Sequence, residues 1–446
     1  MLAVFGILQV ILFALSDGSC FDPTTFCGSQ TDRYGFQIAA ALKEYGALVW
    51  PEEPLAPYTG HPPGYALFMI GVFSVFGWES YAPVIGVQMV LLVAGAFMTR
   101  AIVNALLPGY GAMAMALVLF NPNILAHLNL PQNVSLEFFF VTIALLSTLA
   151  YWRDPKVRYA VTCGGAVGLA MVTRPSGQFL FVTLPVIFVL LELLSAQSMR
   201  WPRAITAGVL ATVLAGSIAA PWALHMRASG EGIRLSGAAH EALVLQDSLR
   251  HLYPGKDRLG DQAAEAQFRE QQDIALRQQN RDWDTLSRVR HGQIEREYLV
   301  DYYLSFPFDP AELAKEVIVS WGTFLAGGGE GMMHRFFGME HQPERSQTLF
   351  YGSKVLALGF AIGLRVLGII GLVAMVRRRA FGPLLITVGL VAVYVVPSFL
   401  VGQPRYRVVV EPALLVMALY GISDLHGLWR ASVQARRTEA AGVGRA

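Results

Sequence analysis

The chain has 446 residues, 54% of them hydrophobic and only 15% charged, with a mean hydropathy of +0.46. A soluble domain carries about 25% charge, so a soluble enzyme and a disordered chain are both excluded. The 34 basic and 32 acidic residues leave a net charge of +2, which rules out an overall electrostatic footprint for nucleic acid. The 3 cysteines are too few for a disulfide scaffold, and no C-x-x-C pair marks zinc. What remains is a polytopic integral membrane protein.

A span needs about 20 mostly apolar residues. In chain order such runs fall at 1–16, 81–106, 110–127, 134–152, 158–173, 177–195, 203–224, 351–376, 381–401 and 407–429. The first begins at Met1, and no basic n-region or small-residue cleavage site frames it. It reads as a span rather than a signal peptide, leaving open whether the native start lies upstream. One more run, Pro63–Gly77, is about 15 residues long, short for a crossing. Basic residues at 153–158, 200–203, 377–379 and 430–437 place those turns in the cytoplasm. The loop 17–60 holds Arg33 and Lys43 against Asp17, Asp22, Asp32, Glu44, Glu52 and Glu53, and reads as external. An odd number of crossings must separate it from 153–158, and 81–106, 110–127 and 134–152 already supply three. Pro63–Gly77 is therefore expected as an interfacial or re-entrant helix on the outer face, within a first external region 17–80. About ten spans with both ends cytoplasmic follow.

The first loop predicts an interfacial helix at 33–45, capped by Thr31 or Asp32. The second external region, 227–350, is long enough to be functional rather than a plain connection. Within it 261–305 is helical by composition, and 310–326 reads as an amphipathic helix ahead of Gly327-Gly328-Gly329. The fold class is an all-α polytopic membrane protein with interfacial helices and one mainly helical external loop. Its modules are 1–226, 227–350 and 351–446, the last ending in a cytoplasmic tail. No internal repeat and no inverted pair of broken helices is evident.

Ionisable groups then collect at the external ends of the spans: Asp32, His61, Glu137, Arg174, His225, Arg227, Arg405 and Arg407, with Tyr406 between the last two. Each has a plainer role. Asp32 would cap a helix, a lone interfacial arginine snorkels to headgroups, and Glu137 complements a helix dipole. The histidines lack metal spacing. Cys20 and Cys27 would pair in an oxidising compartment. Taken one by one, these roles do not explain why acids and arginines gather on one face beside a large loop. A carboxylate among guanidinium forks suits transfer from an anionic lipid donor: arginine grips phosphate oxygens, and the carboxylate takes a proton from an incoming nucleophile. The GGGEG at 327–331 follows no strand and lacks the lysine of a phosphate loop.

Six segments in order carry a family resemblance: TDRYGFQIAAAL (31–42), HPPGYALFMIGVFSVFG (61–77), FNPNILAHLNLPQNVSLEFFF (120–140), GLAMVTRPSGQFLFVTLP (168–185), PWALHMR (221–227) and PRYRVVVEPALL (404–415). The chain resembles the GT-C superfamily of membrane glycosyltransferases, nearest the bacterial relatives of dolichyl-phosphate-mannose–protein mannosyltransferase and of lipid A aminoarabinose transferase. The resemblance implies a GT-C-like fold and an inverting transfer from a polyprenyl-phosphate sugar to a lipid, glycan or protein acceptor. It implies an active site on the periplasmic side of a bacterial inner membrane. It makes Asp32 the catalytic base, and Arg405, Tyr406, Arg407 and Arg174 the contacts to the donor phosphate. His61, Glu137, Arg227 and His225 would orient substrate. Relatives often carry Arg-Asn after the Pro-Trp, where this chain has His225-Met226. No cofactor is required. Some relatives use a divalent metal, for which Asp32, Glu137 and His61 would be the ligands, and the sequence leaves that open. The rival readings are an O-antigen ligase or polymerase, and a transporter or flippase of a lipid-linked sugar. The last would need charges near the bilayer midplane, where only Arg100 and Arg365 are expected, with no acid to pair with them.

Overall fold

Backbone polar groups in lipid must be satisfied within the segment that carries them, and each expected apolar run is largely helical over its described residues in the computed structural model. The structure describes residues 1–16, 21, 30–194, 201–249, 262–280, 282–305, 309–327, 336, 343–396 and 404–443. Cys20 and Cys27 lie outside the described residues, as does the side chain of Asp32.

The first half runs through α1 (Leu2–Leu15), α2 (Gln30–Tyr45), a hairpin of β1 (Val49–Trp50) and β2 (Glu53–Pro57), α3 (Gly64–Phe76), α4 (Ala82–Leu106), α5 (Gly111–Leu119), α6 (Pro122–Leu128), α7 (Val134–Arg153), α8 (Val157–Thr173), α9 (Gly177–Leu193) and α10 (Trp201–Ala228). The loop region carries α11 (Ala238–Leu249), α12 (Gln262–Gln279), α13 (Arg288–Ser305) and α14 (Pro310–Ala326). Four more helices follow: α15 (Pro343–Arg377), α16 (Phe381–Val395), α17 (Pro404–Val408) and α18 (Glu411–Val443).

Among the described residues, 4 helices are long and apolar enough to cross a membrane: α4, α7, α10 and α15. They become 5 if the bent pair α5 and α6 forms one span. The helices α1, α3, α8, α9 and α16 are apolar but shorter, at 10–17 residues. At 1.5 Å per residue a helix of that length covers at most about 25 Å of the roughly 30 Å hydrocarbon core. Pro63–Gly77 is helical as expected, forming α3.

Two expectations are corrected. The run 110–127 is not one helix: it bends by 49° between α5 and α6. Asn121 caps the new helix, its side-chain oxygen accepting from the backbone N–H of Asn123 (3.0 Å) and Ile124 (3.4 Å), with Pro122 at the first helical position. The first-loop helix starts at Gln30 rather than after Thr31 or Asp32, so both residues belong to its opening turn.

Close helix contacts depend on small residues. Gly164 and Gly168 of α8 abut the backbone of α10 at Ala211 and Ala215, where a Cβ would strike the carbonyls. Gly371 of α15 meets the Met417 carbonyl of α18, and Gly421 meets that of Leu367. This last pair is tied twice: Arg365 to Glu411 (2.7 Å), and Arg377 and Arg378 to Asp424 (3.2 Å each).

The region 227–350 docks on the first loop through its described residues. Arg288, at the start of α13, lies 3.6 Å over the Trp50 ring and 3.5 Å from Glu52. Trp50 packs edge-on against Tyr58 at 4.6 Å. A cavity of about 320 Å³ opens beside the hairpin, lined by Trp50, Pro57, Ser229, Arg288, Arg290 and Gln293 among others. Glu241 of α11 joins α13 through Arg296 (2.6 Å).

Candidate active site

Tyr58 organises the approach. It is fully buried, its hydroxyl accepts the backbone N–H of His61 (2.8 Å), and its carbonyl accepts from His225 Nε2 (2.8 Å). His225 in turn stacks on Trp222, whose indole N–H donates to the Leu235 carbonyl (2.9 Å). His225 therefore holds the first loop against the end of α10, with one ring nitrogen committed to backbone. Arg227 is exposed.

Gly64 abuts the Val172 carbonyl, leaving no room for a side chain, so the start of α3 packs on the end of α8. This sets His61 near Arg174. The His61 ring meets His240 of α11 at 4.1 Å, edge to face. Its Nδ1 is buried and has no hydrogen-bond partner. Burial, the neighbouring His240, and the charges of Arg174 and Arg405 push the His61 pKa well below the usual histidine value. Burial and the same two arginines lower His240 to about 4. Both imidazoles are neutral at physiological pH.

Glu137, in the first turn of α7, is wholly buried. It accepts from Arg174 Nη1 (2.7 Å), Ser176 Oγ (2.5 Å) and the Tyr394 hydroxyl (3.0 Å). Its carboxylate is thus occupied by three donors, one of them a nearly buried guanidinium. Arg174 also lies 4.9 Å from the Tyr406 ring. Arg405 approaches the same ring at 5.2 Å and makes a long contact, 3.5 Å, to the Tyr406 hydroxyl. Its buried Nε has no partner. Among the described residues the cluster of Arg174, Arg405 and Glu137 therefore holds two cations against one acid, and the acid is bound to Arg174.

Arg407 is different. Its guanidinium is fully buried and donates to Glu411 Oε1 (2.8 Å), the Phe324 carbonyl (2.9 Å) and the Gly327 carbonyl (2.7 Å). Arg365 donates to the same Glu411 oxygen (2.7 Å) and to the Leu325 carbonyl (3.0 Å). Two arginines thus satisfy the open carbonyls at the end of α14, where cations also meet the negative pole of the helix dipole. The expectation that no acid pairs with Arg365 is overturned by Glu411.

Of the expected site residues, the structure brings His61, Glu137, Arg174, Arg405 and Tyr406 together. It turns Arg407 toward α14, uses His225 to hold Tyr58, and leaves Arg227 exposed. Asp32 lies in the opening turn of α2 by its backbone, and its side chain lies outside the described residues. Among the described residues no three His, Cys, Asp or Glu side chains gather as metal ligands, and Glu137 is held by its three donors. Sequence reasoning missed Ser176, His240, Tyr394 and Glu411. Glu411 had a signal, sitting four residues after Arg407 where helical side chains meet. Tyr394 had a weaker one, a hydroxyl inside an apolar run. His240 had none.

No family model and no curated protein matches the chain. Among solved structures it is similar to ArnT from Cupriavidus metallidurans in the apo state, at 15% identity, and to the same protein bound to undecaprenyl phosphate, at 14% identity. Each similarity covers 94% of this chain and 77% of that one, with a TM-score of 0.40.

Proposed function

We propose that this chain is a membrane glycosyltransferase that moves a sugar from a polyprenyl-phosphate donor to an acceptor on the external face, with inversion at the anomeric carbon. One observation carries the reading. Arg405 is a cation with a buried, unpartnered donor, set beside an arginine already neutralised by Glu137. Among the described residues such a pocket is short of one anion, and a phosphate monoester or diester would supply it with oxygens that a guanidinium fork grips.

The acceptor hydroxyl or amine attacks the anomeric carbon as its bond to the phosphate oxygen breaks. The acceptor's proton passes to Asp32, which the resemblance nominates as base. The leaving polyprenyl phosphate gains a negative charge, and Arg405 with Arg174 stabilises it in a pocket largely free of water. Glu137 acts as a positioning residue that fixes Arg174. His61, held neutral, offers a hydrogen bond rather than a charge. Arg407 serves the fold by holding α14, and is dropped from the donor contacts.

A transporter of lipid-linked sugar is the second reading, favoured by the bend at α5–α6 and by the Arg365–Glu411 pair, both features of transport pathways. The pair's carbonyl contacts give it a structural role, and the bent span has no counterpart among the described residues. Purified protein supplied with radiolabelled polyprenyl-phosphate sugar and a panel of acceptors separates the two. Label transfer that Arg405→Ala abolishes supports the enzyme. Counterflow of labelled lipid in liposomes without transfer refutes it.

A further inference from the structure

Around the bend between α5 and α6 lies a concentration of buried polar atoms without a hydrogen-bond partner among the described residues. Asn121, Asn123, His127 and Asn129 are each at most 2% exposed. Asn121 Nδ2, both side-chain heteroatoms of Asn123, His127 Nε2 and Asn129 Oδ1 have no hydrogen-bond partner. Burying such groups without a partner costs more than an ordinary hydrogen bond returns, so native structures rarely leave several together. Asn123 and His127 are four residues apart on α6 and share a face. Asn121 and Asn129 flank the two ends of the same helix. The helix packs against α17, which carries Arg405.

We propose that α6 and its flanking asparagines form the sugar-recognition surface of the donor site, and that they select a neutral, polyhydroxylated sugar. This rests on the function proposed above. Amide and imidazole atoms present donors and acceptors side by side, and vicinal hydroxyls need both, since each hydroxyl donates one hydrogen bond and accepts others. A cationic amino sugar would need acceptors only, next to a carboxylate not already bound. Among the described residues the nearby carboxylates already carry cationic partners: Glu137 is held by Arg174, Ser176 and Tyr394, and Glu411 Oε1 accepts from both Arg365 and Arg407, leaving Oε2 without a hydrogen-bond partner. An anionic sugar would need donors only, and Arg405 is taken by the phosphate. The sugar follows the phosphate directly in the donor, which places it beside Arg405, where α6 packs.

The test compares binding of two lipids, polyprenyl phosphate with and without a neutral hexose, to wild type and to Asn123→Leu. The variant is expected to bind the hexose-bearing lipid at least about tenfold more weakly, a loss of about 1.4 kcal/mol. Its affinity for bare polyprenyl phosphate stays within about twofold, and its melting temperature does not fall, because an unpartnered buried amide is replaced by a group of similar volume. Equal weakening of both lipids, weakening of neither, or wild-type preference for an amino-sugar donor overturns the proposal. Should Asn123→Leu melt early, Asn129→Leu provides the same comparison, with the same results for and against. Failure of wild type to bind either lipid instead refutes the underlying function.

Discussion

Replacing Glu137 by Gln is the perturbation with the clearest structural magnitude. The carboxylate is completely buried and bonded at 2.7 Å to Arg174, whose side chain is only 8% exposed. The substitution keeps the shape and one oxygen for Ser176 or Tyr394, but leaves the guanidinium as an uncompensated charge. Breaking a buried ion pair by removing one partner costs about 3–5 kcal/mol. The loss should appear as a large fall in thermal stability of the detergent-purified protein, with turnover falling because Arg174 is no longer held beside Tyr406. The decisive variant is the double one, Glu137→Gln with Arg174→Gln. Removing the stranded charge should restore much of the stability, so the two losses are strongly non-additive, by more than about 1 kcal/mol. Losses that simply add, or a Glu137→Gln protein as stable and active as wild type, would refute the placement of Glu137 as the partner that fixes Arg174.

Three further outcomes are expected. Asp32→Asn should lower turnover by about 10²–10⁴, the range for loss of a general base, while lipid binding measured by tryptophan fluorescence stays intact; wild-type turnover would remove Asp32 from the mechanism. His240 is lowered to about 4 and His61 lies well below its usual value, whereas an unfolded histidine titrates near about 6.5. The unfolded chain therefore binds protons that the folded one refuses, so stability is full above about pH 6.5 and falls as pH drops toward 4. Melting curves across that window should show this slope, and His240→Phe should flatten it; a melting temperature that rises on acidification contradicts the sign. Gly371→Val would push a side chain into the Met417 carbonyl of α18 and cost about 1–3 kcal/mol by overpacking; an unchanged melting temperature would show that α15 and α18 do not meet there.

Much of the helical frame was legible because local signals agreed. The helix 310–326 has an aspartate cap, Asp309, which accepts from the Ala311 N–H (2.9 Å), then Pro310 at its start and Gly327 at its end. The break at Asn121-Pro122 carried the same kind of signal. It was outweighed by the apolar run around it, which reads as one continuous span when hydropathy is averaged. The hairpin at 49–57 was hidden because Pro51, Pro54 and Pro57 obscure any alternation, and its register is held by packing of Trp50 against Tyr58 and Arg288. Among site residues, motif and topology bring out Arg174, Arg405 and His61, since each ends or begins an apolar run. Which way a guanidinium turns depends on distant partners: Arg405 and Arg407 are two residues apart, yet Arg407 is claimed by carbonyls about eighty positions earlier in the chain. No local pattern encodes that choice. His240 likewise reaches His61 only because α11 folds back over the first loop.

Where the donor's phosphate binds tests the proposed mechanism most directly. A density map of the protein with a polyprenyl-phosphate sugar should place a phosphate oxygen within about 3 Å of the Arg405 guanidinium, beside Tyr406 and Arg174, with the sugar against α6. A phosphate seated instead at Arg377 and Arg378, or displacing Glu411 from Arg365 and Arg407, would contradict it.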